Sequence, residues 1–128
     1  MKPDDLPRGT FGTAEISTRV ITEKEAQLSR IRDGWMWTHA GPCTVLKING
    51  QVTMSNTRLE CITNAEMIDQ SSGDVLIAGL GIGYILGEIL DKRGVLSVTV
   101  VEKNPDVIAL VVPHYACPKL TVVEGDIF

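Results

Sequence analysis

The chain has 128 residues, 44% of them hydrophobic, and a net charge of −4 with a pI near 5.1. That length suits one domain, which should bury roughly two-thirds of the surface its unfolded form exposes, and the apolar content excludes wholesale disorder. The acidic balance removes any general pull toward a nucleic-acid backbone, and no apolar run reaches membrane-spanning length.

The first twelve residues carry two prolines and two glycines and read as a loose arm with no signal-peptide core. Thr22-Glu-Lys-Glu25 fits a capping box, in which the Thr oxygen accepts a backbone N–H and Glu25 reaches back. A helix follows through Arg32 and stops at Gly34. Trp35 and Trp37 read as packing or interface residues rather than a substrate clamp. Cys43–Ile48 and Gln51–Met54 flank Asn49-Gly50, a hairpin turn in which both residues tolerate positive φ. A second helix covers much of 57–70 and ends near Ser71-Ser72-Gly73.

From Asp74 the pattern changes to short, continuous apolar runs, as expected of strands covered on both faces. Val75–Ala78, Val98–Val101 and Leu120–Val123 are three such runs. A helix over Tyr84–Lys92 separates the first two and stops at Gly94. Asn104 as cap and Pro105 at the first helical position start another, which runs until Pro113. A division between an N-terminal part, 1–73, and a strand–helix–strand part, 74–128, follows.

The second part carries the chemistry. Gly79-Leu80-Gly81-Ile82-Gly83 follows the first strand, so backbone can approach a ligand, with Gly83 a candidate for the close approach of helix and ligand. The usual dinucleotide fingerprint has its third glycine one place later, where this chain has Tyr84. A tight loop without a ligand is the alternative for the glycines. Glu102, at the end of the second strand and about 20 residues on, is placed to accept from both ribose hydroxyls; the alternative is a surface ion pair with its neighbour Lys103. Asp126, just beyond the third strand, is a candidate acceptor for an adenine amine, with Ile127 and Phe128 against the ring, or else a plain loop acid. Cys43, Cys61 and Cys117 are odd in number and widely spaced, which predicts free thiols in a reducing, cytoplasmic setting. His39 and His114 are not at metal-ligand spacing from other ligand types, so no zinc site is expected.

In Val75–Gly83, Val100–Val107 and Leu120–Ile127 the chain resembles the front half of class I S-adenosylmethionine-dependent methyltransferases, whose first three motifs these segments match in order. The resemblance implies a partial doubly wound Rossmann-like parallel sheet, α/β in class, with strand order 3-2-1 behind a helix and a β-hairpin. It implies S-adenosylmethionine as cofactor, with Ala78, Gly79, Leu80, Gly81, Ile82 and Gly83 along its methionine part. Glu102, beside Lys103, would hold the ribose, and Asp126 with Ile127 the adenine. The hairpin and Met54–Thr57 are also similar to the segment ahead of this unit in spermidine-synthase-like aminopropyltransferases, although the glycine turn is less acidic than in many of those.

Family members continue through further strands that commonly supply substrate-binding and catalytic residues, so the catalytic residues are left unassigned. With both helices on one face by right-handed crossovers, the first strand is expected to be an open edge and the opposite face bare. Self-association through that surface, or truncation of a longer chain, is therefore expected. Methyl transfer is the leading expectation. Aminopropyl transfer, a nicotinamide-dependent oxidoreductase and a non-catalytic cofactor-binding or interaction module are the alternatives.

Overall fold

The computed structural model describes residues 1–33 and 39–127. Gly34, expected to stop the first helix, Trp35 and Trp37, expected to pack, and Phe128, expected against an adenine ring, lie outside the described residues. In chain order the strands are β1 (Gly9–Phe11), β2 (Ala14–Ile21), β3 (Gly41–Ile48), β4 (Gln51–Ser55), β5 (Gly73–Ala78), β6 (Val95–Glu102) and β7 (Leu120–Glu124). The α-helices are α1 (Glu23–Asp33), α2 (Arg58–Gln70), α3 (Tyr84–Leu90) and α4 (Pro105–Val111). Short 3-10 turns cover Pro3–Asp5 and Val112–His114.

Two sheets result. β1-β2-β3-β4 form an antiparallel sheet, and β5-β6-β7 form a parallel one in that spatial order. The parallel sheet is the partial Rossmann-like arrangement expected from 74–128, with its first strand at one edge. The hairpin is also as expected: Asn49 has φ +52° and Gly50 φ +79°, the pair of positive angles that matches the twist of the flanking strands.

The first 21 residues differ from expectation. Residues 1–12, expected as a loose arm, hold a 3-10 turn and β1, and β2 follows where no element is expected, so the hairpin is one half of a four-stranded sheet with β4 at its edge. The cause is non-local. All eight residues of β2 pair with β3, from Ala14↔Ile48 to Ile21↔Gly41. The arm ahead of them is anchored by polar contacts. The hydroxyl of Thr44, itself buried, donates to Asp4 (2.6 Å), and Asn56 donates to the same carboxylate (2.8 Å). Arg8 donates to the Leu6 carbonyl, Thr18 and Thr44. At the β1–β2 turn, Thr13 donates through both its N–H and its hydroxyl to Asp106 of α4.

The helix ends follow their local chemistry. Thr22 accepts from the Glu25 N–H (3.1 Å), whereas the Glu25 carboxylate pairs with Arg19 (3.0 Å) instead of reaching back. Asn104 accepts from the Asp106 and Val107 amides ahead of Pro105. Lys92 donates to the carbonyls of Ile68 and Asp69 at the end of α2, satisfying acceptors that a helix terminus leaves over.

One apolar core crosses the 73/74 division. It joins Leu6, Ala14, Ile16 and Leu46 to Ile77, Val98 and Val100 and to Leu86, Ile89, Val107 and Val111 of α3 and α4. These helices cover the sheet face carrying the rows Val75–Val98–Leu120 and Ile77–Val100–Val122. On the other face lie Leu76–Thr99–Thr121 and Ala78–Val101–Val123, with Leu76 60% and Val123 45% exposed. Cys43, Cys61 and Cys117 are free thiols. Among the described residues no helix is long and apolar enough to cross a membrane.

Candidate functional site

The carboxyl ends of β5, β6 and β7 converge on the glycine turn. The Gly79 N–H extends the β5–β6 ladder to the Val101 carbonyl (2.8 Å), and the Gly125 N–H donates to the Glu102 carbonyl (2.9 Å). Chain from all three strand ends is thereby tied within two hydrogen bonds of Glu102.

The carboxylate of Glu102 is gripped from two sides. Its Oε1 accepts the Leu80 N–H of the glycine turn (3.0 Å), and its Oε2 accepts the Asn104 N–H (2.9 Å). A carboxylate offers roughly four acceptor positions, so two bonds orient the group and leave capacity on both oxygens. Its neighbour Lys103 is exposed, and no ion pair joins the two among those within 4 Å.

The glycines of the turn do different work. Gly79 has φ +91°, and nothing lies within 4 Å of where a Cβ would stand; it is bare backbone facing open space. At Gly81 (φ +54°) the corresponding place is filled by the thioether of Met54 from β4. At Gly83 (φ +77°) a Cβ would fall 2.5 Å from the Tyr115 ring. The close approach expected there with a ligand is thus made with a core side chain. Tyr115 donates its hydroxyl to the Ile82 carbonyl (2.9 Å), and burial pushes its phenol above the ordinary pKa.

Two open cavities flank Glu102. The larger, about 590 Å³, lies between the β3–β4 hairpin, α2 and the glycine turn. Leu46, Ile48 and Met54 supply apolar wall, and Glu60, Asn64 and Tyr84 stand on the helix side. The smaller, about 210 Å³, lies over the ends of β6 and β7 and is lined by Asp126 and Ile127. Ala78, Gly79, Glu102 and Lys103 line both. Of the residues expected from sequence, Ala78, Gly79, Leu80, Gly81, Glu102, Lys103, Asp126 and Ile127 all lie in this paired cleft. Ile82 and Gly83 are buried and line neither half.

Sequence reasoning missed the far wall. Glu60 accepts from the Ser55 hydroxyl (2.8 Å) and backbone N–H (3.2 Å), which fixes its carboxylate at the cleft edge. Tyr84, half-buried beside Cys61, has its phenol pushed up to about 12 by burial and then by hydrogen bonding to that thiol. The Thr57–Glu60 spacing signals only a helix start, and Tyr84 signals only a departure from a glycine pattern. Neither announces a cleft wall, because the wall exists only once α2 packs beside α3.

Fold and site define an α/β protein with a Rossmann-like parallel half-sheet and a cleft at its strand ends. Among solved structures the chain is similar to spermidine synthase from Thermotoga maritima, at 13% identity and a TM-score of 0.47, over 94% of this chain and 40% of that one. The chain therefore spans less than half the length of that protein. No protein-family model and no curated protein matches the sequence.

Proposed function

We propose that the paired cleft binds the adenosyl group of S-adenosylmethionine and that the protein is the cofactor-binding part of a methyltransferase. The observation that carries the reading is the two-sided grip on Glu102. A carboxylate fixed by Leu80 and Asn104, with one acceptor position left on each oxygen, matches the two adjacent hydroxyls of a ribose. Asp126 and Ile127 lie on one side of it, where an adenine would be held by an acceptor and an apolar contact. Gly79 to Gly81 and the larger cavity lie on the other, where the sulfur-bearing tail would run.

Charge favours a cationic ligand. The larger cavity carries the carboxylates of Glu60 and Glu102 against the single ammonium of Lys103. That balance suits a sulfonium and opposes a diphosphate. Tyr84 stands in place of the third fingerprint glycine, which serves close helix–strand packing, and departs from the dinucleotide pattern while lining the cavity. Methyl transfer would then need alignment of donor and acceptor and exclusion of water.

The hairpin wall favours a second reading, aminopropyl transfer from the decarboxylated cofactor, because the sequence likeness to aminopropyltransferases lies in that hairpin. The glycine turn, less acidic than in many aminopropyltransferases, counts against it.

Calorimetric titration with S-adenosylmethionine, its decarboxylated form and NAD tests the proposal. S-adenosylmethionine is expected to bind tightest; tightest binding of the decarboxylated form selects the second reading, and tightest binding of NAD overturns both. Glu102→Ala should weaken binding more than tenfold, about 1.4 kcal/mol or more, with melting measured in parallel because the variant frees two backbone donors. Unchanged affinity removes Glu102 from the site.

A further inference from the structure

We propose that Met54 is a specificity residue, a movable plug over the glycine turn that sets how large a tail on the nucleoside the cleft accepts; the inference rests on the adenosyl reading above. The Met54 thioether fills the space against Gly81 that any larger residue there would claim, and its Cγ lies 3.5 Å from that place. This is the stretch of turn along which the tail of an adenosyl ligand would pass between Glu102 and the far wall of the cavity. The plug and the tail compete for one volume.

The local backbone is built to put Met54 there. β3 and β4 pair Lys47 with Val52 but Leu46 with Met54, leaving Thr53 as an extra residue. Without that bulge Thr53 would oppose Leu46. Because strand side chains alternate, Met54 would then face away from the turn. Leu46 is 2% exposed and belongs to the core face, so opposing it with Met54 turns the thioether inward. Thr53, the extra residue, stays exposed at the cavity rim, its hydroxyl donating to the Leu46 carbonyl (3.2 Å). Bulges commonly re-aim a side chain beside a functional site.

The residue type fits a plug. Methionine is unbranched, with three rotatable bonds, and can leave a space without backbone movement. Met54 is half-buried at the wall of an open cavity, so its chain has room to swing aside.

Calorimetry with two probes, adenosine and S-adenosylhomocysteine, tests the inference on the native chain and on Met54→Ala and Met54→Leu, with each variant's melting recorded. Adenosine has no tail and should bind all three proteins alike. S-adenosylhomocysteine should bind Met54→Ala more tightly by roughly three- to tenfold, the scale of one side chain's ordering cost. It should bind Met54→Leu more weakly than the native chain, since a branched chain of similar volume folds away less readily. Equal changes for both probes, or none, overturn the plug and leave the adenosyl reading standing. A native chain that binds neither probe overturns the adenosyl reading and the plug with it.

Discussion

At the scale of the residue, the three glycines of the turn separate into distinct physical roles although the sequence writes them alike. Gly79 needs its freedom only for its backbone angle, since space around it is open, whereas Gly83 needs it for both angle and contact with Tyr115. Gly79→Ala should therefore cost about 1–2 kcal/mol of stability, the penalty of a left-handed L-residue. Gly83→Ala adds overpacking against a buried ring and should cost on the order of 3 kcal/mol. Urea unfolding of the two variants checks the order, and equal midpoints would refute it. The motif Gly79–Gly83 was legible because glycine spacing is a local signal. The partner of each glycine was not, because Met54 and Tyr115 come from β4 and from the segment after α4.

At the scale of the element, the N-terminal arm is held by carboxylates whose ionisation can be followed. Hydrogen bonding from Thr44, then from Asn56, holds Asp4 below its ordinary pKa of 3.8 in spite of partial burial. A depressed folded value means that the stabilisation is present in full above the unfolded pKa and disappears as pH falls through the lower, folded one. Acid should thus loosen the 3-10 turn and β1 first, and Asp4→Asn should flatten the acid limb of the melting profile below the ordinary carboxyl pKa of 3.8. A profile unchanged by the substitution would show that the arm is held otherwise. The same arm marks the limit of sequence reading. β5, α3, β6, α4 and β7 were legible from apolar runs, Asn104-Pro105 and Gly94, all signals within a few residues. In β2 the inward residues Ala14 and Ile16 are followed by exposed Thr18 and Val20. Its alternation is therefore brief, and its identity as a strand comes from its eight pairings with β3.

At the scale of the whole molecule, the parallel sheet has helices on one face, and among the described residues the other face leaves Leu76 and Val123, in neighbouring rows, exposed. β5 also has a free edge among the described residues. Such a surface favours association. Light scattering on the isolated chain is expected to show apparent mass rising with concentration, and Leu76→Lys with Val123→Lys to suppress the rise. A constant monomer mass would count against it. The bond from Tyr115 to Ile82 joins positions 33 residues apart, with a consequence for how the protein is made. The glycine turn is synthesised ahead of the phenol that props it from beneath. The turn's final shape therefore waits on a residue 33 positions downstream and not on its own glycines alone.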